Sequence, residues 1–262
     1  MTVSQKHVMP DYAVAPGMGV SPPVTINALS RAVDRAVPLL RRAYSKFRKT
    51  RFLGTGGVEP LSRDFGFDFG KPIDRQYIER FLAQNCSDIR GRVLEVGDNA
   101  YTMRFGEKRV EKSDVLHVMA DVPGVTIVDD LGKGDNIPSN AFDCIVVTQT
   151  LQFVFDMRLA IAILHRALKP GGVMLVTVPG VTSIARDDDW GNTWFWSLTP
   201  GALKRLLAES FGGELDMTCF GNVLTASAFL YGVPSNELTP EELAVVDPHY
   251  PVIVAARAVK RG

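Results

Sequence analysis

Apolar positions along this chain follow two rhythms. In KPIDRQYIERFLAQNCSDIRGR, Ile73, Tyr77, Ile78, Phe81 and Leu82 recur at three and four residues behind Pro72, the spacing of a helix that buries one stripe. Short apolar runs follow at Val93 to Gly97, Val115 to Met119, Val125 to Val128, Cys144 to Thr148 and Val173 to Val178. The longest helical pattern, Arg158 to Leu168, lies between the last two. Strand-length runs alternating with helices predict an α/β fold with a mostly parallel sheet covered on both faces. LTPGALKRLLAESFG predicts a further helix, with Thr199 as its cap, Pro200 at its first position and Gly212 at its end. LDMTCFG and PVIVAARAVK predict the closing strands, with a helix at NVLTASAFLYG between them. Between the second and third strands only Ala120 to Gly124 remain. A parallel connection normally takes about a dozen residues or more, so this part of the sheet is expected to be trimmed.

The pattern divides the chain into a flexible tail over residues 1–24, an N-terminal basic helix and linker over 25–70, and a sheet domain over 71–262. The tail is rich in Pro, Gly and Ser and has no periodicity. In the next segment Leu29, Val33, Val37, Leu40, Tyr44 and Phe47 predict a helix, kinked at Pro38, whose other face is cationic. Charge changes the picture only here. Lys plus Arg equals Asp plus Glu at 29 each over the whole chain, which argues against nucleic acid as a partner. From Leu29 to Phe52, however, eight basic residues stand against Asp34 alone. That excess suits a helix packed on the domain with a solvated basic face, or peripheral contact with an anionic membrane surface. No apolar run reaches membrane-spanning length and no secretory core is present, and the separated Cys86, Cys144 and Cys219 have neither metal nor disulfide spacing. The expected location is the cytoplasm, with peripheral contact at the inner membrane face, and no metal is expected.

The chemistry starts at RVLEVGDNAYTMRFG. A strand runs into Glu95, Val96 and Gly97, the place where an open parallel sheet binds ligands, and glycine there lets the backbone approach a ligand closely. The run from IPSNAFDCIVVTQTLQF to HRALKPGGVMLVTVPG resembles the central segment of class I S-adenosylmethionine-dependent methyltransferases. It has Phe142-Asp143 opening a fourth strand, LKPGG after a helix, and a fifth strand ending at Pro179. PIDRQYIERFL, GRVLEVGD, SDVLHV, FDCIVVTQTLQ, GNVLTASAFLYG and ELTPEEL look like the methyltransferase-type proteins associated with bacterial glycosyltransferases and polysaccharide assembly. The resemblance implies a Rossmann-like methyltransferase sheet with an antiparallel last strand, and S-adenosylmethionine as cofactor. It also implies O-methylation of a sugar or glycan-linked acceptor, with a glycosyltransferase as partner. Carried over position by position, it places Glu95, Gly97 and Asp98 in the cofactor loop and Asp130 and Leu131 at the adenine end. Gln149 to Phe153, including Gln152, then face the sulfonium and the acceptor. Asp74 and Tyr77, at the start of the preceding helix, can close the cofactor pocket, though helix capping and core packing also account for them. Two departures stand out. Asn99 and Tyr101 occupy the positions of the second and third glycines, and the second strand ends without the acid that usually holds the ribose. They favour an alternative reading, a methyltransferase-like binding module that has lost the cofactor.

Candidates for a catalytic base are few. His117, at a strand end, and Asp188, in RDDDWGNTWFWSLTP, can each accept a proton, and Gln152 can orient an acceptor. Trp190, Trp194 and Trp196 can stack against a sugar ring, and Asp187 and Asp189 can bind its hydroxyls. His165 falls inside a helix and reads as structural, and His249 lies in a loop able to close over the site. The composition leaves the oligomeric state open.

Overall fold

The computed structural model describes residues 58–185, 193–213 and 215–262. The expected basic helix, most of its linker, Asp187, Asp188, Asp189 and Trp190 lie outside these residues. Seven strands form one sheet in the order β3-β2-β1-β4-β5-β7-β6. They are β1 (Gly91–Val96), β2 (Val110–His117), β3 (Ile127–Val128), β4 (Phe142–Thr148), β5 (Leu168–Pro179), β6 (Leu215–Phe220) and β7 (Ile253–Val259). All neighbours pair in parallel except β7, which runs antiparallel to both β5 and β6. The expected antiparallel last strand is therefore present, one place in from the sheet edge.

Among the described residues there are five α-helices: α1 (Ile73–Gln84), α2 (Met157–Ala167), α3 (Pro200–Phe211), α4 (Val223–Leu230) and α5 (Pro240–Ala244). The stripe read from the sequence of α1, Ile73, Tyr77, Ile78, Phe81 and Leu82, is the set of residues it buries. In α2 the Asp156 carboxylate accepts from the Leu159 N–H at 3.0 Å, capping a helix that buries Ala160, Ile161 and Leu164 against β4 and β5. Burial of a side chain such as Ile161 or Leu164 contributes about 1.5 to 3 kcal/mol. Thr199, Pro200 and Gly212 (φ 61) start and stop α3 as their positions imply.

Two local features depart from the sequence reading, each for a physical reason. The Lys169-Pro170-Gly171-Gly172 run is an excursion inside β5, because Leu168 pairs with Phe142 and Val173 pairs with Cys144. A Cβ on Gly172 would stand 2.9 Å from the Lys169 carbonyl oxygen and 3.0 Å from that of Phe142, so only glycine closes this bulge. The second strand begins at Val110 rather than Val115 and outlasts β3, which pairs only with its last two residues, Leu116 and His117. The chain therefore retreats by only two residues between β2 and β3, and residues 118–126 manage this without the usual crossover helix. The expected trimming is present.

Residues 58–70, read from sequence as linker, belong to the same compact unit as the sheet. The Tyr231 carbonyl at the end of α4 accepts from the N–H groups of Leu61 (2.8 Å) and Ser62 (3.3 Å), and the Ser235 N–H donates to the Lys71 carbonyl at 2.7 Å. Asp64, Phe65 and Phe67 of this segment line the same cavity as Gln149, just after β4, and Pro179, at the end of β5.

Candidate active site

The strand order reverses between β1 and β4, so the crevice for a ligand opens at their carboxyl ends. At the end of β1, Gly97 has φ 99, and a Cβ placed on it would find no atom within 4 Å. Its N–H is held by the Leu116 carbonyl at 2.9 Å. A left-handed backbone facing open space is a cradle that a ligand can enter and a side chain would fill.

The missing glycines have a structural explanation. The Asp98 carboxylate accepts from the Ala100 N–H at 2.8 Å and starts a short helical stretch that passes into a π-helical turn over Thr102–Gly106. The first free N–H groups of that stretch, Tyr101 (3.3 Å) and Thr102 (2.7 Å), donate to the two oxygens of the buried Glu95 carboxylate. The Tyr101 hydroxyl is engaged by Arg75 from the first turn of α1. A helical start capped by two acids therefore stands where a glycine-rich loop was expected.

Burial pushes the Glu95 carboxyl up from 4.5 to about 7, with Thr102 and the Tyr101 N–H pulling the other way and Asp98 adding to the rise. Between pH 4.5 and about 7 the folded protein holds a proton that the unfolded chain has released. Stability from this group is therefore full below the lower value and lost as pH rises through the upper one, by at most about 3 kcal/mol. Denaturant unfolding at pH 5 and pH 8 is expected to show this loss in the parent and to show it flattened in Glu95→Gln. A parent equally stable at both values contradicts the assignment.

At the end of β4, Gln149 is held at φ 47, a conformation that non-glycine residues rarely take, with its N–H bonded to the Thr177 carbonyl at 3.0 Å. The Gln152 side chain is 1% exposed and donates to the Gln149 carbonyl at 3.0 Å. Gln152 Oε1 and Gln149 Nε2 are buried with no hydrogen-bond partner, an arrangement that costs about 1 to 3 kcal/mol per group unless a ligand completes it.

Both amides open into a cavity of about 200 Å³ that also meets Asp64, Phe65, Asp74, Arg75, Phe153, Trp194 and Phe229. Phe65 stacks between Trp194 (6.2 Å between centroids) and Phe229 (5.8 Å), and Phe153 meets Trp194 edge-on at 5.2 Å. Trp194 Nε1 is buried without a partner. The cavity thus combines an aromatic wall with two unpaired donors and one unpaired acceptor.

The other sequence candidates are placed as follows. Asp130 is exposed at the end of β3, where its carboxylate accepts from the Gly132 N–H at 2.7 Å. Leu131 is 4% exposed within the hydrophobic core. Tyr77 stacks on Phe220 at 5.5 Å and lines a separate cavity of about 400 Å³ with Lys71 and Arg80, not the one that holds Gln149 and Gln152. His117 accepts from the Met119 N–H through Nδ1 at 3.0 Å, and β1 separates its strand from β4 and the cavity. Trp196 donates to the Val154 carbonyl at 3.2 Å in an exposed aromatic group with Phe155. His165 packs edge-on against Phe211 at 4.8 Å, a structural role as expected. Sequence reasoning missed Asp64, Phe65 and Arg75. The alternation of aromatic, acidic and glycine residues in SRDFGFDFG was the available signal.

Comparison with known proteins agrees with this architecture. A family model described as a methyltransferase domain matches residues 80–176. A ubiquinone/menaquinone biosynthesis C-methyltransferase, UbiE, from Teredinibacter turnerae is 27% identical over 166 residues, covering 58% of this chain and 62% of the relative. The chain thus spans under two thirds of that relative's length. Among solved structures, a SAM-dependent methyltransferase from Archaeoglobus fulgidus aligns with a TM-score of 0.50 at 15% identity, over 71% of this chain and 94% of that one. The cyclase SpnF aligns with a TM-score of 0.50 at 17% identity, over 86% and 95%. These two share the fold. Residues 80–176 therefore match a methyltransferase domain, and the seven-stranded sheet they belong to has the fold of solved S-adenosylmethionine-dependent methyltransferases.

Proposed function

We propose that the protein transfers a methyl group from S-adenosylmethionine to a hydroxyl of a sugar or glycan-linked acceptor. The observation that carries this reading is the cavity at the end of β4, whose aromatic wall and unpaired amides can be completed by a polyhydroxylated ring. Each sugar hydroxyl both donates and accepts, and its C–H face packs on aromatic rings. The open space at Gly97 fits the cofactor, with Glu95 and Asp98 shaping its loop and Asp130 available at the adenine end. When bound, S-adenosylmethionine supplies an electrophilic methyl group on a sulfonium. The protein's part is alignment and exclusion of water. Gln149 and Gln152 orient the acceptor, Phe65 and Trp194 hold its ring, and the 58–70 segment covers the crevice. The UbiE relative is named for C-methylation; the unpaired amides of Gln149 and Gln152 in this cavity favour a hydroxyl acceptor here.

The basic run from Leu29 to Phe52 supports attachment at the cytoplasmic face of a membrane, where a lipid-linked glycan and a glycosyltransferase partner would be met. Among the described residues no helix is long and apolar enough to cross a membrane. A second reading, a non-catalytic binding module, is favoured by the β1 loop, whose Tyr101 and Thr102 N–H groups go to Glu95 rather than outward. Incubation with methyl-tritiated S-adenosylmethionine and a panel of methyl glycosides separates the two. Label transferred to a glycoside supports the enzyme, and none across the panel counts against it.

A further inference from the structure

The methyl-transfer reading leaves open which group removes the acceptor's proton, since His117 lies across β1 from the cavity. The first turn of α1 stands where cofactor loop and cavity meet. Arg75 interacts with Tyr101 and Asp98 on the β1 side, and Asp74 and Arg75 both line the cavity that holds Gln149, Gln152 and Trp194. A group at this junction faces the cradle from one side and the acceptor from the other. The Asp74 carboxylate accepts from the Arg75 main-chain N–H at 2.7 Å, and among the described residues no side-chain donor saturates it. A carboxylate lining a cavity beside an unpaired, fully buried amide oxygen suits a ligand that presents more than one O–H.

We propose that Asp74 is the catalytic base and that Gln152 Oε1 accepts from a neighbouring hydroxyl to fix the ring; the assignment rests on the methyl-transfer reading above. As the acceptor oxygen bonds to the methyl carbon, the carbon–sulfur bond breaks with its electron pair left on sulfur, and the hydroxyl proton passes to the Asp74 carboxylate. The products are a methyl ether, neutral S-adenosylhomocysteine and a protonated Asp74, which returns its proton to water. Burial raises the Asp74 carboxyl above the ordinary carboxylate range, against the pull of Arg75 and of the main-chain N–H groups of Arg75 and Asp74, which strengthens it as a base. The charged and titratable groups around it are Arg75 on its own helix, Asp64 across the cavity, and Tyr101 and Asp98 on the β1 loop.

The test uses the full-length protein, tritiated S-adenosylmethionine and the methyl glycosides of glucose, mannose, galactose and rhamnose. In Asp74→Asn the transfer rate should fall by about 10²- to 10⁴-fold, and the rate should lose the rise with pH that the parent shows as Asp74 ionises. Glycoside binding by the free protein, followed by tryptophan fluorescence, and S-adenosylhomocysteine binding should stay within about threefold if the residue acts in proton removal rather than in packing. Asp74→Glu should recover part of the rate together with the pH dependence. Parental turnover in Asp74→Asn, or an unchanged pH profile, overturns the base. A parent that binds S-adenosylhomocysteine but methylates none of the glycosides overturns the hydroxyl-acceptor reading and this assignment with it. A parent that binds no S-adenosylhomocysteine overturns the cofactor reading itself.

Discussion

Leucine in place of Gly97 is expected to abolish S-adenosylhomocysteine binding, at least 100-fold by calorimetry, while leaving a folded protein. The Cβ of residue 97 would meet no atom within 4 Å, so the change adds a side chain in open space and fills the volume that the ligand needs. The cost to the fold is the strain of φ 99 on a non-glycine residue, about 1 to 2 kcal/mol, a shift of only a few degrees in Tm. Thermal unfolding by circular dichroism checks the second half of the expectation and calorimetry the first. A variant that binds as tightly as the parent moves the cofactor away from the end of β1.

The largest effect on stability is expected at Gly232, which is tied to the site through the 58–70 segment. It has φ 67, and a Cβ on it would lie 2.3 Å from the Ser62 carbonyl oxygen and 2.8 Å from the Ser62 Cβ. Both contacts are with main chain or a short side chain, so nothing flexible can yield. In Gly232→Val the segment must lift from α4, breaking the bonds from Leu61 and Ser62 to the Tyr231 carbonyl. Loss of about 3 kcal/mol or more follows from strain combined with overpacking. Because Phe65 stacks on Trp194 and Phe229, the same change should remove the tryptophan fluorescence response to glycosides. Denaturant unfolding and a fluorescence titration read the two effects; parental values for both would show that the segment does not form this wall.

Much of the fold was legible because its signals are local and periodic. The buried stripe of α1, the cap and stop residues of α3 and the short β2–β3 link each follow from spacing along the chain. Gly97 follows directly on a strand, and the carboxyl end of a parallel strand is where such sheets place ligands. Gln149 and Gln152 came instead from the family resemblance, and both line the cavity at the end of β4. What escaped the sequence depends on contacts between distant segments. The SRDFGFDFG run resembles a linker until Gly232 gives it a surface to dock on. Tyr77 lies on a stripe that serves the core and an outer cavity, so its helix position alone could not say which side it faces. His117 is at a strand end, but on the far side of β1 from the cavity, and strand order is a property of the assembled sheet. The replaced glycines at Asn99 and Tyr101 looked like damage to a binding loop. In the structure that loop is a short helical stretch capped by Glu95 and Asp98.

The central claim is that the crevice at the ends of β1 and β4 holds S-adenosylmethionine, and calorimetric titration of the full-length protein with S-adenosylhomocysteine addresses it most directly. The structure predicts saturable binding with one site per chain, which disappears in Gly97→Leu. Absence of heat at millimolar ligand, in a protein shown to be folded by circular dichroism, would contradict it.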